Sequence, residues 1–116
     1  MDFLEAQHRE LEQGKWSEMP FSKQMANIGS EVSRAIKWHE KGKSERAQRA
    51  VYRALELIDF SIAAAQKLDM PMRKGRLKEL CRCREELCSF FLDDSLFGSS
   101  ADSLQRYFDQ FALLSR

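Results

Sequence analysis

The chain has 116 residues, enough for one domain that closes a core without staples, and its 43% hydrophobic and 32% charged residues exclude a disordered polymer. Nineteen basic against eighteen acidic side chains leave a formal charge of +1, which excludes a global field that recruits nucleic acid or anionic membrane, so any anion binding has to be local. No stretch approaches the roughly 18 apolar residues of a membrane span and the first residues lack a secretory pattern, so a single cytoplasmic domain over 1–116 is expected, without membrane contact.

Met1 to Gly14 carries Phe3, Leu4 and Leu11 among Gln, Glu and Arg, and predicts a short helix or loosely held arm that Gly14 ends. Trp16, Met19, Pro20 and Phe21 then lead into the first main helix, because the missing amide of a proline costs nothing at a helix start. Phe21, Met25, Ile28, Val32, Ala35, Ile36 and His39 follow in steps of three and four, one stripe of a helix, with Gly29 permitting close approach by a neighbour. Gly42 predicts the end of that helix and Ser44 the N-cap of the next.

The second helix carries Ala47, Val51, Ala54, Leu55, Ile58, Ile62 and Ala65, small residues where a partner must approach and branched ones between them. Asp69, Met70, Pro71 and Gly75 predict a loop or a distorted first turn. The third helix shows Leu77, Leu80, Cys81, Leu87, Cys88 and Phe91. Asp93, Asp94, Gly98 and Ser99 make the last break, Ser99 and Asp102 read as a capping pair, and Leu104, Tyr107, Phe108 and Phe111 stripe a final helix. Four amphipathic segments with no alternating strand pattern predict an all-α, up-and-down four-helix bundle with an additional N-terminal arm or short helix.

The order and spacing of Ala35, Trp38, Gly42, Ala47, Val51 and Ala54 resemble a tetratricopeptide repeat, which implies a close antiparallel helix pair. The resemblance stops there, because residues after Met70 do not repeat the pattern and such arrays need several stacked units. Over Met19 to Arg116, the segments PFSKQMANIGSEVSRAI, RALELIDFSIA, RLKELCRCREELC and QFALLSR resemble a family of short bacterial all-helical proteins, a likeness that implies no activity. In size and helix count the chain is also similar to HEPN-type bundles, which include ribonuclease toxins that pair a closely spaced Arg and His. That resemblance implies Arg34 and His39 as catalytic residues, although five residues on a helix set them about 140 degrees apart, so that one site would need a bend or a second subunit.

Arg73, Lys74, Arg76, Lys78, Arg82 and Arg84 crowd one short stretch with Glu79, and Arg73, Arg76, Arg82 and Arg84 are the anion-binding candidates it yields. Arg84 continues the apolar stripe of its helix and is therefore expected to pair with Glu56 or Asp59 or to face a cleft. Cys81, Cys83 and Cys88 are splayed by helical geometry with no His nearby, so reduced thiols are expected and no metal or other cofactor is implied. Tyr107, Phe108 and Phe111, with Phe90, Phe91 and Phe97 before them, exceed what one stripe can bury, and Phe90, Phe97, Tyr107 and Phe108 are the interface candidates. The sequence thus predicts a non-enzymatic protein that binds a protein partner or forms a homodimer, with a HEPN-like ribonuclease that holds RNA on its basic helix as the alternative.

Overall fold

Each apolar stripe becomes one helix and each break becomes a turn, giving five helices among the described residues: α1 (Phe3–Glu18), α2 (Phe21–Glu40), α3 (Ser44–Ala65), α4 (Met72–Leu92) and α5 (Ala101–Leu114). The computed structural model describes the backbone of residues 3–92 and 101–114, with side-chain burial for 9–91 and 101–114. The capping pair read at Ser99 therefore lies outside the described residues, as does the interface candidate Phe97. None of the described helices is long and apolar enough to cross a membrane.

α2 is the central element, packing on α3 along one side and on α5 along another, while α4 bridges α3 and α5 and α1 lies on α3. Its stripe of Met25, Ile28, Val32 and Ala35 is fully buried, joined by Ala54 and Ile58 from α3, Leu80, Cys83 and Leu87 from α4, and Leu104 and Phe108 from α5. Gly29 makes the α2–α5 contact possible: a Cβ built there would meet the Cβ of Phe108 at 2.8 Å. Ser33 Oγ donates to Gln105 Oε1 at 2.7 Å one turn further along the same seam.

Two local expectations are corrected and a third is narrowed. Gly14 does not end α1, which runs on to Glu18 and delivers Trp16 into the core at 6% exposure. The N-terminal segment is thus anchored: Trp16 Nε1 donates to Ser61 Oγ at 2.8 Å, and the buried Gln24 amide donates to the carbonyls of Trp16 at 3.0 Å and Met19 at 3.2 Å. Ser44 is the first helical residue of α3 rather than its cap; Lys43 precedes it, with no side-chain capping bond. Gly75 sits inside the first turns of α4, its amide bonded to the Pro71 carbonyl, so the break is confined to the residues before Met72.

The α2–α3 turn follows its sequence signal closely. Gly42 has φ +74, the left-handed conformation that glycine adopts without Cβ strain. Its amide bonds the His39 carbonyl at 3.1 Å and the Lys43 amide bonds the Trp38 carbonyl at 2.9 Å, the paired bonds of a Schellman motif. The last carbonyls of α2 are thereby satisfied within the turn, and the chain reverses in a fixed geometry.

Candidate functional site

Three of the basic residues of α4 contact other helices. Arg84 pairs with Asp59 of α3. Arg76 lies over the Phe21 ring of α2, with its guanidinium carbon 4.9 Å from the centroid, and Arg82 lies 5.9 Å from the centroid of Tyr107 of α5. Three of the four anion-binding candidates therefore work as helix-to-helix contacts, which leaves Arg73 half-buried and Lys74 and Lys78 exposed on that face. Cation–π contacts of this kind contribute about 0.5–1 kcal/mol at exposed sites.

The aromatic candidates also separate. Phe108 is a core residue at 2% exposure, not an interface residue, because the cleft opened by Gly29 admits its ring. Tyr107, next to it and about 100 degrees around the helix, is half-buried and donates its hydroxyl to Glu79 Oε1. Burial, reinforced by that bond, pushes the Tyr107 phenol well above its ordinary range. Phe90 is half-buried and meets Phe91 edge-on at 4.7 Å between centroids. Both rings also meet His39 edge-on, each at 6.0 Å.

Helical spacing puts His39 on the apolar stripe, whereas in the fold it is exposed at the last turn of α2, with its ring against Phe90 and Phe91. It borders a cleft of about 330 Å³ with Tyr52 and Phe91. Arg34 is exposed and bonded to Glu31 at 2.7 Å on its own helix. The two residues thus have separate neighbours, Arg34 on a carboxylate and His39 on aromatic rings.

Cys83 is the buried thiol of α4, whereas Cys81, expected on the stripe, is exposed and Cys88 is half-buried; all three are free. Burial, with Glu79 and Glu86 nearby, pushes the Cys83 thiol up to about 12. Such a thiol stays protonated near neutrality and serves as packing rather than as a nucleophile. Arg53 of α3 holds Glu12 of α1 and Glu56 of its own helix; burial pulls its pKa down, but the two carboxylates raise it overall.

Two further features lie on the surface. At one end of the molecule the start of α4 and the close of α5 converge on Phe21, since Arg76 covers that ring and Phe111 meets it edge-on at 6.4 Å. Around this junction Met70, Met72, Leu113 and Leu114 are 57%, 54%, 64% and 71% exposed. At the opposite end, the α2–α3 turn holds Lys41 and Arg46 against one ring: Lys41 Nζ is 5.4 Å and the Arg46 guanidinium carbon 4.8 Å from the centroid of the half-buried Trp38. The signal for the first was four large apolar residues lying outside every stripe, and for the second a charge excess across the turn, legible once Trp38 is treated as a surface ring rather than a packing mark. No family model, characterised protein or solved structure matches this chain.

Proposed function

We propose that the chain is a small non-enzymatic helical binding protein of the cytoplasm that self-associates through the end where α4 begins and α5 closes. In this reading α2 to α5 form an up-and-down four-helix bundle and α1 is a fifth helix laid on α3. The observation that carries the proposal is that Met70, Met72, Leu113 and Leu114, each more than half exposed, belong to the start of α4 and the close of α5, which meet at Phe21 through Arg76 and Phe111. Fully burying a side chain of this class contributes about 1.5–3 kcal/mol. An isologous contact would use the set twice, once from each copy, which is the scale needed to offset the cost of association. Lys67, Asp69 and Lys74 flank the apolar residues with both charge signs, the composition of a rim that can pair with itself.

Light scattering on the full chain tests this. The expected result is a mass twice the 13.5 kDa of one chain, returning to the single-chain value in Met72→Glu/Leu113→Glu, with helicity retained. A parent protein that stays at 13.5 kDa at high concentration would overturn it. The ribonuclease alternative draws on the exposure of Arg34 and His39 and requires them to meet from two copies. Its test is RNA cleavage that disappears in both Arg34→Ala and His39→Ala.

A further inference from the structure

We infer that the α2–α3 turn is a binding site for single-stranded RNA, in which Lys37, Lys41, Lys43 and Arg46 take backbone phosphates and Trp38 receives a base. Between Lys37 and Arg49 there are five cations and two carboxylates, an excess of three in a chain whose net charge is +1, so the rest of the molecule is net negative. The positive charge is thus concentrated at one tip, where it can act on a polyanion within a Debye length of about 8 Å at physiological salt.

The cations at the tip are not held by carboxylates. Among the described residues, Arg34, Arg49, Arg53 and Arg84 each have a carboxylate within 4.0 Å, whereas Lys37, Lys41, Lys43 and Arg46 have none. Of the two carboxylates in the turn, Glu45 leans toward Arg49 at 3.9 Å, leaving Glu40 as the one unengaged negative charge. Trp38 gathers two of the cations, one from the end of α2 and one from α3, onto a single ring, which lowers the entropy lost when they close on phosphates. The paired backbone bonds at Gly42 hold the two helix ends at that spacing. An open hollow of about 380 Å³ is lined by Lys43, Ser44, Glu45 and Arg46, two cations against one carboxylate.

The arrangement favours a nucleic acid strand over a single small anion. Four cations spread over two helix ends and their turn are more than one small anion needs and suit a chain of phosphates. The half-buried indole carries Lys41 and Arg46 over its ring, and a base takes that stacking surface as the two cations turn outward to phosphates, a contact that a paired duplex does not offer.

The test uses the full chain, a short polyuridylate oligonucleotide and tryptophan fluorescence. Trp16 is 6% exposed and bonded to Ser61, so the change on binding belongs to Trp38. Saturable binding is expected, with log affinity falling against log salt at a slope of about −2 to −3, the value for three to four phosphates on a single strand. Lys41→Gln/Arg46→Gln is expected to weaken binding by about tenfold or more at low salt and to flatten that slope. Lys37→Gln/Lys43→Gln, which leaves both contacts to Trp38 in place, is expected to do the same, and Lys74→Gln/Lys78→Gln on α4 to leave binding unchanged. The proposal is overturned by absence of binding at low salt, by full affinity in either turn variant, or by loss of binding in the α4 variant. It is also overturned if tripolyphosphate competes as well as the oligonucleotide at equal phosphate concentration, since the site would then take a free anion.

Discussion

At Gly29 the backbone of α2 comes so close to α5 that a methyl group has no room: its carbon would lie 2.8 Å from the Cβ and 3.2 Å from the Cγ of Phe108. Helix propensity alone favours alanine there by up to about 1 kcal/mol, whereas overpacking a core costs about 1–3 kcal/mol. Because the obstructing atoms belong to the root of a buried ring rather than to the tip of a flexible chain, overpacking should win. Gly29→Ala is expected to lose about 1–2 kcal/mol in urea unfolding, and Phe108→Leu should cost less in that background than in the parent. A Gly29→Ala protein more stable than the parent would remove this account of the α2–α5 seam. The sequence makes Gly29 legible as a place of close approach but not Phe108 as the residue that approaches, because the two lie on helices far apart in the chain. The same limit explains the cysteines. Leu80, Cys83 and Leu87 form one helical row and Leu77, Cys81, Arg84 and Cys88 another, and local spacing does not tell which row faces the core.

Among the elements, α1 shows how a weak local pattern can hide a strong tertiary role. Its residues are mostly polar and Gly14 interrupts them, yet the helix continues to Glu18 because Trp16 finds Ser61 and the core while Gln24 holds the carbonyls at its end. Trp16→Ala should therefore cost about 3–5 kcal/mol, the range for truncating a buried aromatic. Trp16→Phe should cost about 1–3 kcal/mol, since it keeps most of the ring but leaves the buried Ser61 hydroxyl without its donor. Thermal unfolding of the two variants checks the order, and equal melting temperatures for both and for the parent would return α1 to the status of a loose arm. The α2–α3 turn is the opposite case: a glycine, a Schellman bond pattern and two flanking stripes are all local, so that hairpin was readable from its own residues.

Across the whole molecule, a formal charge near zero conceals an uneven distribution, with cations that have no carboxylate partner at the α2–α3 turn, while Arg34, Arg53 and Arg84 are held in ion pairs and Arg76 and Arg82 against aromatic rings of other helices. Composition reports the sum and not the arrangement, which is why the basic run of α4 outranked the turn in the sequence and not in the fold. The fold's response to pH follows from two protons on facing helices, one on the buried Cys83 and one on the half-buried Tyr107. Cys83 of α4 is pushed by burial, and then by Glu79 and Glu86, from 9.0 to about 12. Tyr107 of α5 is raised by burial and by its bond to Glu79. In both, the native state keeps a proton that the unfolded chain gives up at lower pH, so unfolding releases protons in this range and stability declines with pH. For Cys83 that contribution is complete below about pH 9 and is lost as pH rises toward about 12. Urea unfolding across this range should show the decline, shallower in Cys83→Ala and in Tyr107→Phe than in the parent. A stability that stays flat to about pH 11 would mean that water reaches the α4–α5 seam and that these two groups are not held neutral by burial.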